Sequence, residues 1–593
     1  MKELSYPFDS NYILAKKRNI KKTLLAQEGK LLEKNIAILG GSTTSEIKAI
    51  LELFLLNYGI KANFYESEYN KYYEDVMFDE PELEAFKPSL IYIHTTNKNV
   101  MYEPDYLASA EEVENCLLSE YNRFVALWEK IASKYHCPII QNNFEWPNYR
   151  LMGNLEASSI NGKINFLSRL NLKFYEYAQT HQNFYINDIN YLSASYGLEK
   201  WSEPFYWYMY KYALALPAIP SLAFNIANII KALYGKNKKG LVLDLDETLW
   251  GGIVGDDGVE NLKIGPEMPA GQAYSDFQIY LKNLKNLGMV LNIASKNEEE
   301  NALAGLNHKD GILKPEDFIV IKANWEPKSV NFKHIANELN LGEDALVFVD
   351  DNPAERAIIQ RELPNVSIPP ITVPENYINT VSHSGFFEFT SISEDDLKRN
   401  EMYRENAKRS SLVASFDNYE DYLLSLKMKA KIKDFEKIYY ERIAQLSNKS
   451  NQFNLTTRRY TQSEIEAFAT NDEYIKIYGQ LADMFGDNGL VTVVLGKVEE
   501  AVLHLELWLM SCRVLKRNME YAMLDKLVAM GKARGIRELK GYYYPTAKNK
   551  MVKDFYGTLG FEKTKEDAAG NSEWRFIIPE VYENKNKVIE VEN

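Results

Sequence analysis

The chain has 593 residues, 46% of them hydrophobic and 26% charged, and a formal net charge of −14. It is too long for one hydrophobic core, so three or four domains are expected, and its acidity argues against general nucleic-acid binding. Its three cysteines, Cys116, Cys137 and Cys512, cannot supply a disulfide framework, which points to a reducing, cytoplasmic setting.

The opening Met1–Asp9 holds no apolar signal core. Residues 1–35 are polar and mixed and read as helical. The run 35–44, Asn-Ile-Ala-Ile-Leu-Gly-Gly-Ser-Thr-Thr, reads as a strand, a glycine turn and a helix start. Ser42 stands where a nucleophile or an N-cap would stand, and the N-cap is the preferred reading. Segments 88–97, 137–143 and 184–188 are further strands that end in polar residues, Asn97 and Asp188 among them. Strands alternating with helices imply a parallel sheet covered on both faces. The uncharged stretch 213–230 is long enough to notice as a membrane span, but it contains Pro217, Pro220, Asn225 and Asn228. It is expected to be a buried loop and helix, with no span.

The next segment, 241–252, is Leu-Val-Leu-Asp-Leu-Asp-Glu-Thr-Leu-Trp-Gly-Gly. It is a buried strand ending in two carboxylates, Asp244 and Asp246, with Thr248 just beyond. Strand carboxyl tips are where open α/β sheets bind ligands. Carboxylates so close need a cation or a shared proton, and a hard divalent ion such as Mg²⁺ fits oxygen ligands. Three segments follow: a strand ending at Ser295 with Lys296 and Asn297 behind it, Trp-Glu-Pro-Lys328, and a strand ending in Asp350 and Asp351. Residues 250–271 have room for a hairpin flap, and 295–328 for one helix and one strand. The charged stretch 395–426 reads as helical with a solvated polar face.

From Lys427 the pattern changes. Segments 483–495 and 501–510 read as a β-hairpin and 519–533 as a helix, and Phe555-Tyr-Gly-Thr-Leu-Gly-Phe561 closes the region.

The four central motifs resemble those of the haloacid-dehalogenase (HAD) superfamily of phosphoryl-transfer enzymes. Leu249–Gly258, the Ser-Lys-Asn run to Asn297, Val349–Arg356 and the distant Asn451–Tyr460 resemble its FkbH-like branch. Layout 1–235 is similar to the SGNH hydrolase fold, with Ser42 and Asn97 as its site residues. It departs from that family at Asp188, which is followed by Tyr191 where a histidine base belongs. The hairpin, helix and closing aromatics resemble the GNAT acyltransferase fold. There the pantetheine-pyrophosphate of coenzyme A or a carrier protein rests on a strand-to-helix turn. Lys516 and Asn518 stand where glycines are expected in that turn.

The resemblance therefore implies a multidomain α/β protein: an SGNH-like domain 1–235, a capless HAD core 236–380, a helical linker 381–428, a GNAT-like α+β domain 429–580 and a tail 581–593. It implies Asp244 as nucleophile, Asp246 as general acid and base, and Ser295 and Lys328 on the phosphoryl oxygens. Mg²⁺ would be held by Asp244, the Asp246 main-chain carbonyl and Asp350, with Asp351 as alternative or water-bridged ligand. Thr248, Asn297, Ser42, Asn97 and Arg513 are candidate substrate contacts. FkbH-like proteins move a glyceryl unit from a bisphosphoglycerate to an acyl-carrier protein with loss of phosphate. The resemblance thus implies a small phosphorylated acyl donor, an acyl-carrier protein as partner, and Cys512 as acyl-bearing thiol activated by Arg513. The alternative is a stand-alone phosphatase whose flanking domains bind a large phosphorylated substrate.

Overall fold

The computed structural model describes residues 1–27, 31–413, 415–450, 452–546 and 548–592. The chain forms two compact units, Met1–Leu233 and Tyr234–Asn593.

The first unit carries five parallel strands: β1 (Leu32–Gly40), β2 (Ile60–Glu66), β3 (Leu90–His94), β4 (Ile139–Asn142) and β5 (Phe184–Asn187). Their order in the sheet is β2-β1-β3-β4-β5. β2 escaped the sequence reading because its alternating Ile-Lys-Ala-Asn-Phe-Tyr-Glu is half exposed at the sheet edge. The chain runs from β1 outward to β2, then returns to β3 on the other side, so the reversal lies between β1 and β3. Ligands of such sheets bind at that crevice, beyond the carboxyl ends of the strands. Helix Ile219–Leu233 is nearly all buried and packs on helix Ser45–Asn57. Its apolar window, Leu216–Leu233, is 72% buried, as a core helix requires.

The second unit contains two sheets. The first has β6 (Gly240–Leu243), β7 (Val290–Ser295), β8 (Val320–Ala323) and β9 (Leu346–Val349), all parallel, in the order β8-β7-β6-β9. Its reversal lies between β6 and β9. No further sheet is inserted between its strands among the described residues. The 250–271 segment is not a hairpin flap: it folds into a single turn of helix, Val254–Asp257, a 3₁₀ turn, Val259–Asn261, and one isolated bridge between Gly251 and Lys263.

The other sheet is mixed and eight-stranded. It comprises β10 (Met428–Asp434), β11 (Tyr474–Asp483), β12 (Gly486–Glu499), β13 (Val502–Met510), β14 (Glu538–Tyr543), β15 (Glu562–Glu566), β16 (Ser572–Ile577) and β17 (Ile589–Glu592). β12 and β13 form the expected hairpin, and helix Met519–Ala533 follows. β13 and β14 run parallel but pair only as far as Leu505 opposite Gly541. Beyond that point they separate, and Phe453–Leu455 fills the gap. Met510 N–H donates to Phe453 O (3.0 Å), Leu455 N–H to Trp508 O (3.1 Å) and Tyr544 N–H to Leu455 O (2.9 Å). The 451–460 motif supplies this insert, with Asn451 itself outside the described residues.

The charged 395–426 stretch does not present a plain solvated face. Helix Arg399–Val413 lies between the two sheets. Asn400 Nδ2 donates to Met289 O (3.1 Å) on one side, and Arg409 reaches Asp483 (2.7 Å) on the other. Asp396 is buried against Arg399 and Lys449. Burial alone would raise its carboxyl, yet these two cations hold it well below the usual range. The periodicity marked the helix, but not that both of its faces are covered.

Candidate active site at the carboxyl ends of β6 and β9

β6 is four buried residues, and its register beside β9 is fixed by hydrogen bonding that continues to Asp244 N–H on Val349 O (3.0 Å). This places Asp244 and Asp350 side by side at the sheet's reversal. Asp244, Asp350 and Asp351 each present an oxygen, all within 4.8 Å of one another. Lys328, the first residue of helix Lys328–Glu338, is buried with its Nζ 2.7 Å from Asp244 Oδ2 and 2.6 Å from Asp350 Oδ2. Burial opposes its charge, but the two carboxylates outweigh that and raise its pKa. Burial and the Asp244 charge push Asp350 up to about 6, against the pull of Lys328. The other Asp350 oxygen accepts from Asn352 N–H (2.8 Å).

Asp246 is aimed elsewhere. Its Oδ1 accepts from Trp250 Nε1 (2.9 Å) and Val254 N–H (3.0 Å), and its Oδ2 from Asn297 Nδ2 (2.9 Å). Burial raises its carboxyl, which favours a proton there. Its carboxylate is not part of the three-acid cluster, so only its main chain is left to meet a cation in that cluster. Thr248 Oγ1 is 3.2 Å from Asp351 Oδ1 and from Asp351 N, joining the two strand ends. Ser295 is buried at the end of β7, next to β6.

The donor set fits a hard divalent cation. Asp244, Asp246, Asp350 and Asp351 are countered locally by Lys328, an excess of acid that costs free energy in a buried place. Asp244 Oδ1 is buried without a hydrogen-bond partner, and a buried carboxylate oxygen needs one. Oxygen-only ligands of this kind suit Mg²⁺.

Several supporting residues were not singled out from the sequence. Trp250 orients Asp246, beside Asn297, which the sequence marked as a candidate substrate contact and which here donates to Asp246. Arg356 caps the main chain, its Nη1 donating to Asp350 O (2.7 Å) and Asp351 O (2.5 Å). Tyr274 and Tyr377 hold the turn after Asp246, donating to the Glu247 carboxylate (2.9 Å) and to Glu247 O (2.9 Å). That turn needs holding, because Glu247 has φ 55°, a conformation disfavoured for any residue with a Cβ. Trp250 and Arg356 lay in the quoted motifs; the tyrosines carry no local signal.

The remaining candidates are not members of this cluster. Ser42 is not an N-cap: helix Ser45–Asn57 is preceded by Thr44, and Ser42 Oγ is buried with no hydrogen bond. Asn97 Nδ2 binds Glu145 Oε1 (3.1 Å), while Asn99 Nδ2, two residues on, reaches Gly41 O (2.7 Å). Gly41 is required there, since a Cβ would come within 2.4 Å of Asn99. Asp188 caps its own helix, accepting from Tyr191 N–H (3.0 Å) and Asn143 Nδ2 (2.7 Å). His181 is stacked on Tyr177 with ring centroids 3.6 Å apart. Cys512 is half-buried, packed on an apolar cluster with Phe332, Phe348 and Tyr403, and its thiol meets the Tyr403 hydroxyl. The Arg513 guanidinium turns from that thiol to Ser511 Oγ (3.1 Å), Met402 Sδ and Asp395 (3.5 Å), because Asp395 is its nearest acid.

Residues 35–231 match the family described as FkbH, N-terminal domain. No curated protein matches the chain. Among solved structures the chain is similar to the N-terminal part of the protein BF1531 from Bacteroides fragilis, containing phosphatase domain complexed with Mg. The identity is 28% and the TM-score 0.58, over 63% of this chain and 98% of that one. The ribosomal-protein-S18-alanine N-acetyltransferase from Escherichia coli matches with 14% identity and a TM-score of 0.21, over 27% of this chain and 99% of its own. The PaiA N-acetyltransferase from Thermoplasma acidophilum in complex with coenzyme A matches with 15% identity and a TM-score of 0.19, over 25% and 99%. Scores of that size say nothing about what this chain binds. The chain thus carries a match to the FkbH N-terminal domain over residues 35–231, followed by a four-stranded parallel sheet and a mixed eight-stranded sheet.

Proposed function

We propose that the second unit is a Mg²⁺-dependent phosphohydrolase of the HAD type that works on a phosphorylated small molecule. The observation that carries this is Asp244: one oxygen is held by Lys328, the other is buried and unpartnered at the sheet reversal. Asp244, Asp350, Asp351 and the Asp246 main-chain carbonyl would hold the ion. When bound, Mg²⁺ supplies charge neutralisation and orientation of the phosphoryl group. Asp244 forms the new O–P bond as the P–O bond to the leaving group breaks. Asp246 gives its proton to the leaving oxygen, then takes one from the water that attacks the aspartyl-phosphate. Lys328 and Ser295 meet the equatorial oxygens, where charge develops. Hydrolysis of a generic phosphate ester should vanish on chelation, return with Mg²⁺, and be absent in Asp244→Asn. Chelator-resistant turnover would refute the reading.

The finer proposal is that dephosphorylation is coupled to transfer of a small acyl unit to Cys512 and on to a carrier protein. Its support is the placement of Cys512 against the apolar cluster shared with β6, β7 and β9. The turned-away Arg513 weakens it. With a three-carbon acyl-phosphate, intact mass should rise by one acyl unit in wild type and not in Cys512→Ser. Without that gain, the plain phosphatase reading stands.

A further inference from the structure

Both donors to Asp246 Oδ1, Trp250 Nε1 and Val254 N–H, belong to one short stretch, 250–254. Two contacts from outside set that stretch. The first is made by Glu247. Its Oε1 accepts the Gly252 N–H (2.8 Å), in the middle of the stretch, and its Oε2 accepts the Tyr274 hydroxyl (2.9 Å) from helix Pro269–Asn286. Gly252 has φ 99°, and a Cβ there would come within 2.9 Å of Asp257 Oδ2, so glycine is what lets this N–H turn back to Glu247. Glu247 is exposed, yet its backbone is held at φ 55°. Core packing does not account for such a residue, and strain kept beside a reactive centre points to positioning. The second contact is a notch. Trp250 is 1% exposed, and its six-membered ring lies on Gly305 of helix Glu299–Leu306, where a Cβ would come within 2.8 Å of Cζ2 and Cη2. Glycine weakens a helix interior relative to alanine, so the reason for the bare position lies outside the helix. It lets the indole sit deep enough for Nε1 to reach Asp246 Oδ1 at 2.9 Å.

We propose that Glu247 and Gly305 are positioning residues for proton transfer: by fixing residues 250–254 from two sides they hold Asp246 where its proton meets the leaving oxygen. This rests on the phosphatase reading above. In that reaction the ester P–O bond breaks as Asp244 forms the new O–P bond, and the electron pair left on the departing oxygen takes the Asp246 proton. A leaving group that is stable as an anion departs without a proton; a poor one needs it. Neither Glu247 nor Gly305 belongs to the three-acid cluster. Loosening the stretch should therefore cost rate in proportion to the leaving group's need for a proton, with the cluster left in place.

Turnover by the full chain of two esters tests this: phenyl phosphate, with a poor leaving group, and 2,4-dinitrophenyl phosphate, with a good one. The readout is the ratio of their kcat/KM values, since kcat/KM covers the step that breaks the ester bond. Glu247→Gly suits the left-handed backbone and removes only the side-chain contacts. Gly305→Ala keeps every polar group and only crowds Trp250. Each should lose about tenfold or more on phenyl phosphate beyond its loss on the dinitrophenyl ester. Glu247→Gln keeps an acceptor for Gly252 and should recover most of that. In metal-free protein, Glu247→Gly and Gly305→Ala should also quicken hydrogen exchange of the Gly252 and Val254 amides by about tenfold or more. A fault of folding or of cation binding would lower both esters alike. Where one of the two variants does not fold, the other decides. Equal losses on the two esters, unchanged amide exchange, or a Glu247→Gln no better than Glu247→Gly overturns the proposal. Wild-type protein that turns over neither ester refutes the phosphatase reading itself, and this inference falls with it.

Discussion

Two parallel sheets in this chain reverse their strand order, and each gathers polar residues at that crevice. At the β6/β9 crevice they are carboxylates with one lysine between them. At the β1/β3 crevice they are amides, hydroxyls and groups that burial keeps neutral. His94 is pushed down to about 3 and Glu145 up to about 8. His94 Nδ1 lies between Tyr92 Oη (2.9 Å) and Asn142 Nδ2 (3.0 Å). The architecture is shared, but only one crevice has charge in place to move a phosphoryl group or hold a cation. Topology selects where a site sits; the residues at the strand tips select whether chemistry happens there.

Substitutions in the two crevices should therefore differ in size. The largest effect is expected from Asp244→Asn, which keeps shape and removes the nucleophile: phosphate-ester turnover should fall about 10⁴-fold or more. A variant that keeps a tenth of wild-type rate would break the comparison at its root. Lys328→Met should cost roughly 10²–10³-fold in kcat, with the loss in kcat rather than KM if the lysine meets charge that develops in the transition state. Asn297→Ala removes a donor that favours ionised Asp246, so the Asp246 pKa rises further. The alkaline limb of the pH–rate profile should then move up by about 0.5–1 unit, with a rate loss of about tenfold or less. A downward move would separate Asn297 from the proton-carrying acid. The smallest effect belongs to the other crevice. Ser42→Ala deletes a buried hydroxyl with no partner, so it should leave phosphatase rate unchanged and stabilise by about 1 kcal/mol. Ester hydrolysis that disappears in this variant would show that the amide-rich crevice is catalytic after all.

Much of the carboxylate site could be read from the chain because strands announce themselves by apolar runs and end abruptly in Asp244, Ser295 and Asp350. Such signals are local. What could not be read were contacts between segments far apart in sequence. Examples are the hydrogen bond from Tyr377 to the Glu247 main chain, and Asn99, rather than Asn97, lying against Gly41. The segment after Trp250 has the glycines of a hairpin, but Asp246 accepts the Val254 N–H and draws the chain into a helical turn. Sequence adjacency of Cys512 and Arg513 suggested an activated thiol; the side chains part because Asp395, more than a hundred residues away, offers the guanidinium an anion.

The insert Phe453–Leu455 has a consequence for traffic into the last sheet. A gap between diverging parallel strands offers unpaired backbone groups to any extended chain that can reach them. Here the occupant is tethered to the same polypeptide, so it competes as an internal peptide at an effective concentration on the order of millimolar. A guest arm must first evict it, and eviction would also shift Arg459, five residues away in the chain from its midpoint Asn454. The vacancy that a free edge would advertise is therefore reserved.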